Sequence, residues 1–326
     1  MSCTVPQIIS LVALAVGLAL FGATMWSLDR QDTLRGARVL GAALPLVLLP
    51  SLGWHLLRAA GWYVCFPRSE RPSYWRVFRV RLAADGVAYF TIRGVASEPL
   101  RVVLLVGIVP PTVSAAASVL ERTAMGIMSV VGVGLFAAFA VSSDILPPEW
   151  QRAFRNIALI AAAVLALTLL FLKRSGCYFG SLVETIYRRT GWRWAGGRTA
   201  QFISTVEDLF LTLARTDPGR IQWLVFLSIA CYALMAVEVC VVFWAIGQPV
   251  SLWLGTIVET FTRAVSVLGG AIPANLGALE ASNVAVAKAL GLVGGGSLAL
   301  ARRVRSLLWA TLGLALYPRD TIKGRR

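Results

Sequence analysis

Charge is what this sequence has least of. Of its 326 residues only 14% are Asp, Glu, Lys or Arg, against about 25% in a soluble globular domain, while 57% are hydrophobic. A soluble core cannot absorb that much apolar surface, so a free-standing soluble enzyme is excluded. Histidine occurs once, at His55, and the five cysteines (Cys3, Cys65, Cys177, Cys231 and Cys240) show no CxxC spacing, which leaves no ligand set for a metal cluster. Gly294-Gly295-Gly296 lacks the Lys and Ser or Thr that complete a phosphate-binding loop, so ATP hydrolysis has no support. Neither a cofactor nor a metal is expected. Acid is scarcer than base, with 16 Asp and Glu against 31 Lys and Arg and a net charge of +15. In a membrane protein such an excess gathers in cytoplasmic loops and meets anionic lipid. Membrane lipids are therefore the expected partners, and nucleic acid is not.

The apolar residues that fill the chain come in long runs. Residues 5–28, 39–57, 102–120 and 123–143 contain no Lys, Arg, Asp or Glu; 156–172 is similar, and 221–247 is interrupted only by Glu238. About 20 such residues cross the ~30 Å of bilayer hydrocarbon, and backbone groups in lipid must be satisfied within the segment, so these runs are read as helices. Run 5–28 lacks a basic leader and exceeds the apolar core of a secretory signal, which makes it a retained first helix. The chain is expected to be an all-α, polytopic integral membrane helix bundle of about six to eight spans. With the amino terminus in the cytoplasm, stretches 58–81, 173–220 and 319–326 hold 6, 8 and 4 Lys plus Arg. The opposite loops 29–38, 144–155 and 248–252 hold 3, 2 and none. That bias orients helices during insertion and predicts a plasma (inner) membrane protein with both termini cytoplasmic.

Two stretches do not read as simple spans. One, from Arg81 to Arg101, sets Asp85, Arg93 and Glu98 among apolar residues and leads to Pro110-Pro111. The other, from Arg263 to Arg305, holds Pro273, Asn275, Gly277, Glu280 and Lys288. Pro and Gly break helices, and broken backbone is tolerated at membrane depth where protein or a watery cavity covers it. Both are expected to be re-entrant or broken helices, the first entering from the cytoplasm and the second from the opposite side. Arg81 precedes Glu98 by seventeen residues, as Arg263 precedes Glu280. Two readings of that shared frame stay open: coincidence, or the inverted repeat of a transporter. The chain is expected to be a single transmembrane domain over 1–326, with an N-terminal half 1–172, a cytoplasmic amphipathic insert 173–220 and a C-terminal half 221–326. In the insert, Phe202, Val206, Leu209 and Leu213 share a helical face, and Trp192-Arg193-Trp194 has the character of an interfacial anchor. A helix lying along the inner leaflet explains the insert, as does a docking surface for a partner enzyme.

The broken stretches also carry a resemblance. Glu98-Pro99-Leu100-Arg101, Val119-Leu120-Glu121-Arg122 and Ile272-Pro273-Ala274-Asn275-Leu276-Gly277-Ala278-Leu279-Glu280 resemble, in order and spacing, three successive motifs of the lysylphosphatidylglycerol synthase transmembrane-region family, the flippase-like membrane proteins. Arg302-Arg303-Val304-Arg305-Ser306-Leu307-Leu308-Trp309 resembles the closing motif of a branch linked to hopanoid and other lipid biosynthesis. The pattern departs where the family has paired glycines and this chain has Ala96-Ser97, which disfavours a turn of positive φ there. Synthases that transfer an aminoacyl group carry a further soluble domain, and this sequence ends at Arg326 without one. The resemblance therefore implies the lipid-handling half of such a protein and not an enzyme.

Ionisable residues inside a membrane usually face a cavity or a partner, since each costs about 2.5–3.5 kcal/mol on insertion scales. Glu259 and Arg263 are four apart with the acid first, the favourable order on a helix, and Arg302 and Arg305 are three apart. The candidate headgroup and cavity residues are Glu98, Arg101, Glu121, Arg122, Glu259, Arg263, Pro273, Asn275, Gly277, Glu280, Arg302 and Arg305. Arg263, Glu280, Arg302 and Arg305 are expected to cluster, because arginine offers planar paired donors suited to a phosphate. Glu238 is expected to pair locally or to lie near a helix end. The opposing reading is that these charges neutralise one another and only hold the bundle together. No nucleophile or base stands out, so a transferase is the weakest of three functions. The leading one is a lipid translocase for an anionic or zwitterionic phospholipid, or for a polyprenyl- or hopanoid-type lipid. The second is an accessory protein that anchors a lipid- or glycan-modifying enzyme.

Overall fold

The computed structural model describes residues 30–89, 97–143, 146–173, 182–183, 185–186, 188–189, 197–268, 272 and 275–316. Run 5–28, Ala96, Trp192-Arg193-Trp194, Pro273 and the basic tail 319–326 lie outside the described residues. Among the described residues ten α-helices follow in order: α1 (Arg30–Cys65), α2 (Tyr74–Tyr89), α3 (Ser97–Leu105), α4 (Pro111–Val141), α5 (Pro148–Lys173), α6 (Gly197–Thr216), α7 (Pro218–Ala245), α8 (Leu252–Leu268), α9 (Ala278–Ala289) and α10 (Gly295–Ala315). A 3-10 turn at Arg68–Glu70 lies between α1 and α2.

Three of these helices contain stretches long and apolar enough to cross a membrane: Gly41–Cys65, Pro111–Val141 and Gly219–Ala245. Leu135 and Phe139 on α4, and Leu159, Ile160, Leu167 and Leu170 on α5, are exposed, as a lipid-facing surface requires. The chain is an all-α, membrane-associated helix bundle.

The helix boundaries differ from the charge-free runs in two instructive places. Runs 102–120 and 123–143 read as two helices, but α3 stops at Leu105 and α4 continues unbroken through Glu121 and Arg122. Pro110 and Pro111 start α4, where a missing N–H costs nothing. Glu121 and Arg122 do not interrupt it because neighbouring helices supply opposite charges to both. Run 39–57 is likewise part of a longer helix that continues past His55 and Arg58 to Cys65. His55 is buried, its ring 4.7 Å from those of Trp54 and Trp309.

Packing builds a core at each end of the bundle. At one end Trp62 and Phe66 of α1 meet Val77 and Val80 of α2, Leu104 and Leu105 of α3, Val113 and Leu120 of α4, and Leu224 of α7. At the other, Val47 of α1 meets Val239, Val242 and Phe243 of α7, Val258 of α8, Val286 of α9 and Leu298 of α10. The start of α7 therefore lies beside the end of α1, and the two helices run antiparallel. Midway, Leu234 closes over Gly53.

The contacts repeat across the halves. Helices α1 to α4 touch one another in the same pairs as α7 to α10, and where α2 packs on α10, α8 packs on α4. In the same way α1 packs on α10 and α7 on α4. The turns after α3 and after α9 each contain a glycine of positive φ, Gly107 and Gly291. Two helices stand outside this pattern, α5 and α6, which both pack on α4. In α6, Val206, Leu209 and Phe210 pack against the first of the two cores, while Phe202 is exposed.

The α2–α10 contact is close because two glycines permit it. A Cβ at Gly86 would lie 2.7 Å from the Ala310 carbonyl oxygen, and one at Gly313 would overlap that of Leu82. Gly86→Ala and Gly313→Ala should each lower thermal stability in detergent, by about 1–3 kcal/mol as for other overpacked contacts. Gly126, which has no atom near its notional Cβ, is the control. If both variants melt with Gly126→Ala and the parent, α2 and α10 do not pack as described.

Candidate functional site

Two buried ion-pair cages occupy the bundle, one in each set of four helices. In the first, the carboxylate of Glu121 on α4 is fully buried and faces three arginines. Arg58 of α1 approaches it to 3.0 Å, Arg81 of α2 to 3.4 Å and Arg101 of α3 to 3.7 Å. Asp85 sits one turn after Arg81 and accepts a 2.8 Å hydrogen bond from Arg101. Glu98, in the first turn of α3 where the helix dipole favours an acid, pairs with Arg101 at 3.5 Å and with Arg122. Arg101 also stacks over the Trp62 ring, 5.4 Å from its centroid.

The second cage is built from the corresponding helices with the central charge reversed. Here a buried arginine, Arg302 of α10, is held by Glu259 of α8 at 2.6 Å, Asn283 of α9 at 3.1 Å and Glu238 of α7 at 3.6 Å. Arg263 closes on Glu259 at 3.0 Å and lies over the Tyr232 ring, and Arg305 closes on Glu238. Glu280, 1% exposed, pairs with Arg303, which also donates to the Tyr89 hydroxyl at 2.9 Å. Arg81 and Arg263, Glu98 and Glu280, and Arg101 and Asn283 are each 182 residues apart.

The loop before α9 shows why those residue types are needed. Asn275 has φ +50° and Gly277 φ +79°, a left-handed conformation that Asn tolerates and Gly favours. Asn275 donates to the Ser266 hydroxyl at 2.7 Å, tying the loop to the end of α8. The Gly277 N–H donates to Glu280 at 2.7 Å, so this carboxylate caps its own helix while it holds Arg303.

The candidate residues thus separate into two groups. Glu98, Arg101, Glu121 and Arg122 belong to the first cage; Glu259, Arg263, Arg302 and Arg305 belong to the second. Glu280 was expected beside Arg263, Arg302 and Arg305, but its ion pair is with Arg303. Pro273 lies outside the described residues. Sequence reasoning missed Arg58, Arg81, Asp85, Asn283 and Arg303 as members, and expected a local partner for Glu238, whose partners are on α10. Spacing carried a signal for Arg303: it follows Glu280 by 23 residues as Arg122 follows Glu98 by 24. Arg58 was hidden because it follows an apolar run and counts as a loop cation until α1 is seen to continue.

A family of known proteins corresponds to this architecture. The sequence pattern described as "Lysylphosphatidylglycerol synthase TM region" matches residues 7–315, and the chain belongs to that family. No curated protein and no solved structure matches the chain. Among the described residues no group of three or more His, Cys, Asp or Glu is placed to hold a metal ion.

Removing one partner from a buried ion pair leaves an uncompensated charge, which costs roughly 3–5 kcal/mol. Arg302→Gln should therefore lower stability in detergent by that order, since it strips both Glu238 and Glu259. Arg122→Gln, at a position 49% exposed, should cost no more than about 1 kcal/mol. Equal melting of the two variants would contradict the burial of Arg302.

Proposed function

We propose that this member of the lysylphosphatidylglycerol synthase transmembrane-region family moves a lipid headgroup between the two leaflets, using its buried arginines to carry the headgroup through the bilayer. Family membership supports lipid handling by a flippase-like membrane protein. The observation that carries the finer reading is the pair of cages: eight arginines and six carboxylates held in ion pairs within an apolar bundle. Ionisable groups at such depth mark substrate pathways, and arginine forks suit a phosphate. A phospholipid, or a polyprenyl- or hopanoid-type lipid with a phosphate-bearing head, fits that chemistry.

Alternating access follows from the two halves. The antiparallel α1–α7 pair and the matched contacts support an inverted-topology repeat, in which α1–α4 and α7–α10 are equivalent. On this reading α1, α4, α5, α7 and α10 each span the bilayer. The α2–α3 pair is then a hairpin entering from the cytoplasm and α8–α9 one entering from the opposite face. Both termini are cytoplasmic, as the basic stretches favour. A role as an anchor for a lipid- or glycan-modifying enzyme through 173–220 has less support, because Val206 and Leu209 of α6 pack against the bundle.

Leaflet exchange in liposomes reconstituted with the purified protein and labelled phospholipids tests the reading. The parent should accelerate exchange, and Arg263→Lys should slow it at least tenfold with melting nearly unchanged, because the planar fork is lost while the charge stays. Glu280→Gln, which releases Arg303, should trap the headgroup and slow exchange as well. No acceleration with any phosphate-bearing lipid, or full exchange with reduced melting in both variants, would leave these residues as bundle glue.

A further inference from the structure

The two cages share a charge count but differ in how well their arginines are satisfied. In the first, Arg58, Arg81, Arg101 and Arg122 face Asp85, Glu98 and Glu121, a net charge of +1. In the second, Arg263, Arg302, Arg303 and Arg305 face Glu238, Glu259 and Glu280, again +1. At the centre of the second, Arg302 donates hydrogen bonds to both Glu259 and Asn283, and only its Nε and one Glu238 oxygen are buried without a hydrogen bond among the described residues. The centre of the first is different. Glu121 holds its three arginines at ion-pair distance, yet both of its oxygens are buried without a hydrogen bond among the described residues. Arg58 Nε, Arg81 Nε and Nη1, and Arg101 Nε are buried in the same condition. Buried N–H groups of charged side chains are costly to leave without an acceptor.

The geometry points to Arg58, Arg81 and Arg101 as an oxyanion site for a headgroup of one negative charge, with Glu121 as its resident counter-ion. Glu121, with Asp85 and Glu98 beside it, keeps the three like charges together and leaves Arg58 Nε, Arg81 Nε and Nη1, and Arg101 Nε for the incoming oxygens. A singly charged phosphodiester brings the cage from +1 to neutral; a zwitterionic head brings its own cation and leaves the excess in place. A series of ion pairs leads from the surface to the cage, from Arg122 at 49% exposed through Glu98 at 25% to Arg101 at 2%. This deepens the translocase reading and rests on it for the lipid as the source of the oxyanion.

Equilibrium binding to the full chain in detergent tests the site with dihexanoyl phosphatidylglycerol, dihexanoyl phosphatidylcholine, glycerol phosphate and inorganic phosphate as probes. Phosphatidylglycerol should bind at least tenfold tighter than phosphatidylcholine. Glu121→Gln raises the cage to +2 and should tighten phosphatidylglycerol binding at least tenfold. Arg58→Gln, at the partly exposed edge, removes the excess and should weaken binding at least tenfold; it also serves if Glu121→Gln does not fold. If glycerol phosphate or inorganic phosphate follows the same pattern as tightly as the lipid, the oxyanion site stands and its source is a soluble phosphate. Equal affinity for both lipids, or a folded Glu121→Gln or Arg58→Gln with the parent's affinity, overturns the site. Lipid exchange in liposomes without this charge preference would remove the site and keep the translocase; preference without exchange would do the reverse.

Discussion

A charge inside hydrocarbon persists only in contact with an opposite charge or a wet cavity, and the architecture of this bundle is arranged around that constraint. Each cage draws one or more side chains from four different helices, so none of the four can shift far without stranding a partner. Lipid gives little hydrophobic drive for helix association; ion pairs and close glycine contacts take on more of that role here. Arg302 joins α7, α8, α9 and α10, and Glu121 joins α1, α2, α3 and α4. Other features serve these two points: the proline start of α4 sets its register, and the left-handed turn before α9 positions Glu280.

The reversal of charge between the cages gives the halves different properties despite their matched contacts. The central carboxylate of the first cage, Glu121, leaves several buried arginine N–H groups without a hydrogen bond among the described residues, and such groups attract anions. The central arginine of the second, Arg302, already donates to Glu259 and Asn283. On the proposed function both cages meet the headgroup, and the first offers it more buried arginine N–H groups without a hydrogen bond among the described residues. Their junction lies where α1 meets α10: His55 packs against Trp309, whose indole N–H donates to Ser51 at 2.8 Å. A rearrangement in one half would reach the other through this contact and through the glycine-lined α2–α10 crossing.

Much of the fold was legible because membrane insertion imposes length and apolarity on a span. Runs 39–57, 123–143 and 221–247 fall largely on the helices suited to crossing, although Glu121 and Arg122 looked like a boundary and are not one. That error has a physical cause: a charge ends a span in an isolated segment, whereas α4 meets its charges from helices distant in sequence. The site was legible in part. The frame shared by Arg81 with Glu98 and Arg263 with Glu280 was visible, as were the local pairs Glu98 with Arg101 and Glu259 with Arg263. The cages themselves were not, because Arg101 corresponds to Asn283 and the central acid of one half to an arginine in the other. A comparison by residue identity cannot see an ion pair kept with its polarity reversed.

The equivalence of α1–α4 with α7–α10 as inverted copies is the central claim, and the side of the membrane on which matching turns emerge tests it most directly. Single cysteines at Ser69 and Pro110, in the turns before α2 and α4, and at Gln248 and Val293, in the turns before α8 and α10, would be placed in a chain whose native cysteines are replaced. An impermeant thiol reagent should reach Gln248→Cys and Val293→Cys in intact cells, and Ser69→Cys and Pro110→Cys only after permeabilisation. Labelling of all four from one side would contradict the inverted repeat and, with it, the alternating-access account.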